Sequence, residues 1–200
     1  MKDLIVFIGE SGSGKNFIID HLLMLYPNDF HVVPQVSSRP QRTGEKEGHP
    51  YHFVSREEFL QEIDSGKLAE WQNFNGWYYG TRYEDLGYSQ INILSANPAA
   101  ARILLKNPNL NTQIVYVRCD DRERLIRSLQ REKYPDIKEI LRRYDSDLKD
   151  FKYIIDFDYY ILVNNNTRDL YKSEQIIKRE LEHFKTLRKL EHYEQSKDNM

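Results

Sequence analysis

Five consecutive apolar residues, Leu4-Ile-Val-Phe-Ile8, follow Lys2 and Asp3 and stop at a Gly/Ser cluster. A short β-rich run bounded by turn residues predicts a strand buried on both faces. The period then changes: Phe17-Ile-Ile-x-x-Leu-Leu-x-Leu25 carries its apolar positions at helical spacing. Strand, glycine loop and helix therefore follow one another at the start of the chain. Similar apolar runs return at Ile91-Asn-Ile-Leu94, Ile114-Val-Tyr-Val117 and Tyr159-Tyr-Ile-Leu-Val163. They lie far enough apart for helical crossovers between parallel strands, so the pattern predicts an α/β core with a buried parallel sheet.

Between the first helix and Ile91 the pattern breaks into Arg39, Pro40, Arg42, Gly44, Gly48 and Pro50, then the aromatics Trp71, Trp77, Tyr78 and Tyr79. This predicts a separate small subregion over 34–83. From Asp120 to Asp150 the chain is charged and helical, and from Ser173 onward Ile177, Leu181, Phe184, Leu187 and Leu190 keep roughly helical spacing. The polar residues 194–200 read as a frayed tail. The expected organisation is one domain, with a core of 1–33, 84–120 and 151–193 and insertions at 34–83 and 121–150.

Composition narrows the function classes. The 200 residues are 40% hydrophobic, enough for one substantial core, and 29 Lys+Arg against 31 Asp+Glu leave a net charge of -2. Such a balance excludes a surface coated for nucleic acid or an anionic membrane, so any recognition of anions is local. The first apolar run is too short for a signal-peptide core or a membrane span. The single cysteine, Cys119, makes no internal disulfide and no Cys-rich zinc site, which fits a reducing compartment. The expectation is a cytoplasmic protein with no nucleic-acid or membrane partner.

Gly9-Glu-Ser-Gly-Ser-Gly-Lys-Asn16 fits every position but the last of G-x-x-x-x-G-K-[ST], and it sits between a strand and a helix, where that pattern belongs. Glycines let successive backbone N-H groups curl around phosphate oxygens, the helix adds its positive end, and Lys15 brings a mobile cation. Residues Gly9, Glu10, Ser11, Gly12, Ser13, Gly14, Lys15 and Asn16 are thus the candidate cradle for ATP. Asn16 replaces the usual hydroxyl residue at the Mg²⁺ position; its amide oxygen reaches the ion or a bound water.

Ser37-Ser-Arg-Pro-Gln-Arg-Thr-Gly-Glu-x-x-Gly-x-x-Tyr-x-Phe-Val-Ser-Arg-Glu-Glu-Phe59 resembles the monophosphate-binding segment of guanylate kinases. Gly66 to Leu68, Glu70-Trp71 and Tyr78-Tyr-Gly-Thr81 continue that resemblance at matching spacing. The chemistry agrees. Arg39 and Arg42, three apart around Pro40, can converge on one phosphate as planar donor forks, and Tyr51 and Tyr79 can donate phenol O-H groups. Guanine presents N1-H and N2-H₂ side by side, and one carboxylate accepts both; the resemblance assigns that role to Glu70, with Thr81 also at the base. The bland alternatives are a solvated loop for the arginines, core aromatics with wet tips for the tyrosines and a surface carboxylate for Glu70.

Later in the chain the resemblance loosens. The family's D-x-D-x-x-G pattern is Ser95-Ala-Asn97-Pro98-Ala-Ala100 here, and Gln35 stands where the family has a serine that touches the base. Gln35 and Asn97 remain candidate base contacts. The region 121–150 is similar to a lid, with Arg124, Arg127 and Arg131 at helical intervals before Arg142 and Arg143. By the same similarity Arg131 and Arg143 swing toward the phosphates, with Arg127 next and beside ATP. Asn164-Asn-Asn-Thr167 is similar to the family's turn beside adenine, which makes Asn164 an ATP candidate, and is equally a good turn and cap. Cys119 reads as a packed hydrophobe, and the six histidines show no metal-ligand spacing.

The resemblance implies a three-layer P-loop kinase core with an inserted monophosphate-binding subregion and a helical lid. It further implies ATP-dependent phosphorylation of GMP or dGMP with Mg²⁺, using Lys15, Arg39, Arg131 and Arg143 in catalysis. Two rival readings are a non-catalytic binding module of the same family and a nucleoside monophosphate kinase with another base preference.

Overall fold

The computed structural model describes residues 2–41, 45–48, 50–74, 76–131, 133–152, 154, 161–166, 171–179, 182 and 186. Strand β1 (Lys2–Ile8) lies at the centre of a five-stranded sheet. Around it run β2 (Phe30–Val32), β8 (Ile91–Ser95), β9 (Leu110–Arg118) and β10 (Ile161–Asn164), in the order β10-β9-β1-β8-β2 with every pairing parallel. Alternation along β1 splits the core in two. Ile5 and Phe7 pack on one face with Ile18, Ile19 and Leu22 of α1 (Lys15–Leu25) and with Ile177 from the helical segment 171–179. Leu4, Val6 and Ile8 pack on the other with Ala101 and Leu104 of α3 (Pro98–Leu105). A strand buried on both faces needs apolar residues at every position, which is why Leu4 to Ile8 is unbroken and wholly buried. The result is the expected three-layer α/β core.

The segment between β2 and β8 builds its own sheet. It consists of β3 (Gln35–Ser37), β4 (Lys46–Glu47), β5 (Pro50–Phe53), β6 (Leu68–Phe74) and β7 (Trp77–Arg82), in the order β4-β5-β3-β7-β6. Helix α2 (Arg56–Asp64) opens with a capping box in which Ser55 and Glu58 satisfy each other's backbone N-H. It packs Phe59 against Tyr78 at 5.4 Å, and Trp71 adjoins Tyr78 on that same side. By alternation Glu70, Gln72, Tyr79 and Thr81 occupy the opposite face, which α2 leaves open.

The charged stretch forms α4 (Asp121–Gln130) and α5 (Ile137–Asp150), the latter capped by Asp136 and with no fully buried residue. None of the strands β2 to β7 was marked by the apolar pattern. The last strand starts, as described, at Ile161; Tyr159 and Tyr160, the later apolar positions Leu181, Phe184, Leu187 and Leu190, and the tail 194–200 lie outside the described residues. Among the described residues no helix is long and apolar enough to cross a membrane.

Candidate functional site

The glycine loop leaves β1 at Gly9 and enters α1 through Gly14, whose φ of 93° is the left-handed conformation that glycine tolerates. A Cβ at Gly14 would also run into the Asn165 carboxamide, so the position needs glycine on two counts. Lys15 is half-buried and folds its Nζ back onto the Gly9 carbonyl at 2.5 Å. Burial lowers its pKa, while Asp147 and Glu10 oppose that shift. The loop is braced from three sides. Glu10 accepts from the Tyr116 hydroxyl at 2.9 Å, tying the loop to β9. Asn165 Nδ2 donates to the Ser13 carbonyl at 2.7 Å. From α5, Asp147 accepts from Ser11 N at 2.8 Å and Oγ at 3.4 Å.

Above the loop lies a cavity of about 840 Å³ whose wall includes Gly12, Lys15, Asn16, Ser95, Arg131, Arg143 and Asn165. The lid arginines differ in what holds them. Arg124 is 2% exposed, bound to Asp147 at 3.0 Å and Asp121 at 2.8 Å, with its guanidinium 4.0 Å over the Tyr144 ring. Arg127 is buried and donates to the carbonyls of Ser13, Asn165 and Asn166 and to Glu123. It joins the glycine loop to the turn after β10, a fixed brace where the sequence suggested a mobile lid cation. Arg131 is exposed at the rim. Arg143 donates to Glu139 at 2.8 Å, and Arg142 grips the same carboxylate at 2.6 and 2.9 Å. These bonds, Arg142 first, pull the Glu139 carboxyl down to about 2. The side chain of Asn164 lies outside the described residues; it is Asn165, one position on, that is buried against the loop, with its Oδ1 lacking a partner.

A second cluster occupies the open face of the inserted sheet. Arg39 is 7% exposed and makes a two-pronged pair with Glu45, at 2.7 and 2.6 Å. Its guanidinium lies 4.9 Å over the Tyr51 ring, and Tyr51 meets Tyr79 edge-on at 5.9 Å. The Glu45 hydrogen bonds raise the Arg39 pKa, so this cation stays charged at any working pH. Arg42 lies outside the described residues. Glu70 is 3% exposed; Oε1 accepts from the Thr81 hydroxyl at 2.8 Å, and Oε2 is buried without a partner. Among the described residues no cation balances it, and burial pushes the carboxyl up to about 7. An orphaned buried carboxylate oxygen is a place for an external donor. Gln35, paired in register with Tyr51, shares the neighbourhood. Asn97 arrives from the core sheet and caps α3, accepting from Ala100 N at 2.9 Å while its Nδ2 donates to Gln72 Oε1 at 3.0 Å.

Sequence reasoning overlooked Gln72, Glu45, Glu139 and Asp147 as parts of these clusters. Glu45 sat inside the recognised segment; the others carry no local signal. Cys119 is buried and its thiol is pushed up by burial, consistent with a packed residue. The described histidines have ordinary partners: His31 meets the Asp85 carbonyl, His52 meets Glu47 and His21 meets Glu174. Among the described residues no cluster of His, Cys, Asp and Glu could hold a metal ion alone.

Comparisons with known proteins give the family. The sequence pattern of the family described as guanylate kinase matches residues 1–182. The guanylate kinase of Thermotoga maritima is 33% identical over 178 residues, covering 83% of this chain and 81% of that protein. That of Synechococcus sp. strain JA-3-3Ab is 31% identical over 191 residues, covering 87% and 81%. In fold, the chain is similar to the crystal structure of guanylate kinase from Anaplasma phagocytophilum, with a TM-score of 0.59 at 20% identity, over 88% of this chain and 81% of that one.

Proposed function

The chain belongs to the guanylate kinase family of nucleoside monophosphate kinases, and from that premise we propose that it transfers the γ-phosphoryl group of ATP to GMP or dGMP. The observation that carries the reading is Glu70, a buried carboxylate with one unpartnered oxygen on the same sheet face as Tyr79 and Thr81. A guanine N1-H and N2-H₂ edge supplies the donors that this oxygen lacks, and the phosphate of the same nucleotide reaches Arg39, Tyr51 and Tyr79. Arg42 joins them by the family resemblance.

ATP takes the glycine loop, with Lys15 released from the Gly9 carbonyl to the outer phosphates and Arg127 and Asn165 bracing the far side. The residues near Lys15 fit a Mg²⁺ ion that arrives with ATP: Asn16 offers a neutral amide oxygen at the cavity wall, a weak ligand that suits an ion held chiefly by phosphates and water. When bound, the ion neutralises charge on the β- and γ-phosphates. A GMP phosphate oxygen attacks the γ-phosphorus in line; the bond to the β-phosphate oxygen breaks and ADP leaves. The acceptor oxygen is already anionic at neutral pH, so no general base is needed. The chain's work is positioning and charge neutralisation by Lys15, Arg39, Arg143 and Arg131, with water excluded as lid and inserted sheet close. These substrates and the thiol of Cys119 agree with a cytoplasmic location.

An ADP-release assay over a panel of nucleoside monophosphates tests the proposal. Turnover with GMP and dGMP, abolished by Lys15→Ala, is the expected result. Nucleotide binding without any turnover would leave a binding module instead.

A further inference from the structure

Thr81 has one hydroxyl hydrogen, and it is donated to Glu70. A base seated against Glu70 therefore needs another donor for an acceptor beside its N1-H, and Gln72 is placed to be that donor. It stands two residues from Glu70 on β6, paired in register with Tyr79 as Glu70 is with Thr81, so all four share the open face. Its amide orientation follows from a chain of bonds. Ala100 N can only donate, so the Asn97 atom it meets is Oδ1 and the remaining atom is Nδ2; Nδ2 donates, so the Gln72 atom facing it is Oε1. That leaves Nε2 of Gln72 turned from Asn97, and it donates to no described residue. Gln35 on β3, two strands away from β6, is also an amide, but no such chain fixes it.

We propose that Gln72, oriented by Asn97, reads the 6-oxo group of the base while Glu70 reads its N1-H, so that the pocket recognises 6-oxopurine monophosphates and discriminates only weakly for the 2-amino group. The pair Glu70 acceptor and Gln72 donor complements the lactam edge shared by guanine and hypoxanthine. Adenine reverses both functions, with an acceptor at N1 and donors at C6, and is rejected by unpaired buried groups. The 2-amino group finds Glu70 alone, because Asn97 is neutral and its oxygen is already capping α3. Asn97 is thus a positioning residue and Gln72 the one that touches the base.

The inference rests on the proposed kinase reaction, and steady-state rates with GMP, IMP and AMP separate the two. We expect kcat/KM for IMP within tenfold of GMP, and AMP at least a thousandfold lower. Gln72→Ala, with Gln72→Leu as a second variant of similar length, lowers kcat/KM for GMP and IMP alike by about tenfold and leaves the KM for ATP unchanged. Asn97→Asp keeps the helix cap but draws Nε2 of Gln72 toward the new carboxylate, giving the same loss with no further effect in the double variant. GMP turnover with IMP a hundredfold worse overturns the inference alone, as does an unaffected Gln72 variant or a gain in GMP preference in Asn97→Asp. Absence of turnover with every monophosphate overturns the reaction and the inference together.

Discussion

Burying Glu70 moves its carboxyl from the ordinary 4.5 to about 7. The folded protein therefore holds a proton that the unfolded chain has released between those values. Stability from this group is fully present below 4.5, falls as pH rises toward 7 and is flat beyond. Because Glu70 is 3% exposed, little solvent screening applies, and the fall amounts to about 3 kcal/mol. Urea denaturation from pH 5 to 8 should show Glu70→Gln gaining on the wild type by a large part of that amount, and parallel curves would refute the assignment. Function has the opposite dependence. The guanine edge offers donors, so the ionised carboxylate binds it better, and the KM for GMP should fall as pH rises from 6 to 8 in the wild type more than in Glu70→Gln. Glu70 was legible because Glu70-Trp71 and Tyr78-Tyr-Gly-Thr81 recur as a pattern. Its protonation was not, since burial is a property of the folded sheet.

The lid shows how two helices acquire a function that neither announces. Arg124 of α4 and Asp147 of α5 form a nearly buried ion pair, and the Asp147 carboxylate also takes the Ser11 N-H of the glycine loop. The position of α5, which carries Arg142 and Arg143, is thereby tied to the loop. Removing one partner of a buried pair strands the other charge, at a cost of about 3–5 kcal/mol. Asp147→Ala should lie near the lower end, because Asp121 still holds Arg124 Nε. The double change Arg124→Met with Asp147→Ala should recover part of the loss, since it removes the stranded cation; equal loss in both would show that the charge is not what matters. The existence of α4 and α5 was legible from charge and period. Their anchoring was not, because Ser11 and Asp147 meet across 136 positions. Length explains the shortest of the missed strands in the same way: β4 has two residues and β2 and β3 have three, too few for a period, and each is held by its neighbours in the sheet, while β6 and β7 are long enough but mix aromatic, polar and glycine positions.

Across the whole molecule, a net charge of -2 coexists with two anion sites because several site cations are already matched to a carboxylate. Arg39 has Glu45, Arg124 has Asp147, and Arg142 and Arg143 share Glu139. Phosphates compete with these internal partners, so binding rearranges pairs more than it adds charge. The two sites belong to different sheets and meet through few polar links, among them Asn97 to Gln72 and Asn107 to the Ala69 carbonyl. If a ligand on the glycine loop draws Arg142 and Arg143 away from Glu139 as the lid closes over the inserted sheet, the ordering cost is met by whichever ligand binds first. Calorimetric titration should find GMP binding about fivefold tighter, ~1 kcal/mol, in the presence of a non-hydrolysable ATP analogue. The analogue must gain the same factor from GMP, since coupling between two bound ligands is reciprocal. Substituting Glu139→Gln frees both arginines from their carboxylate in advance and should shrink the coupling from both directions equally. Coupling that persists undiminished in that variant would mean that the lid arginines do not carry it.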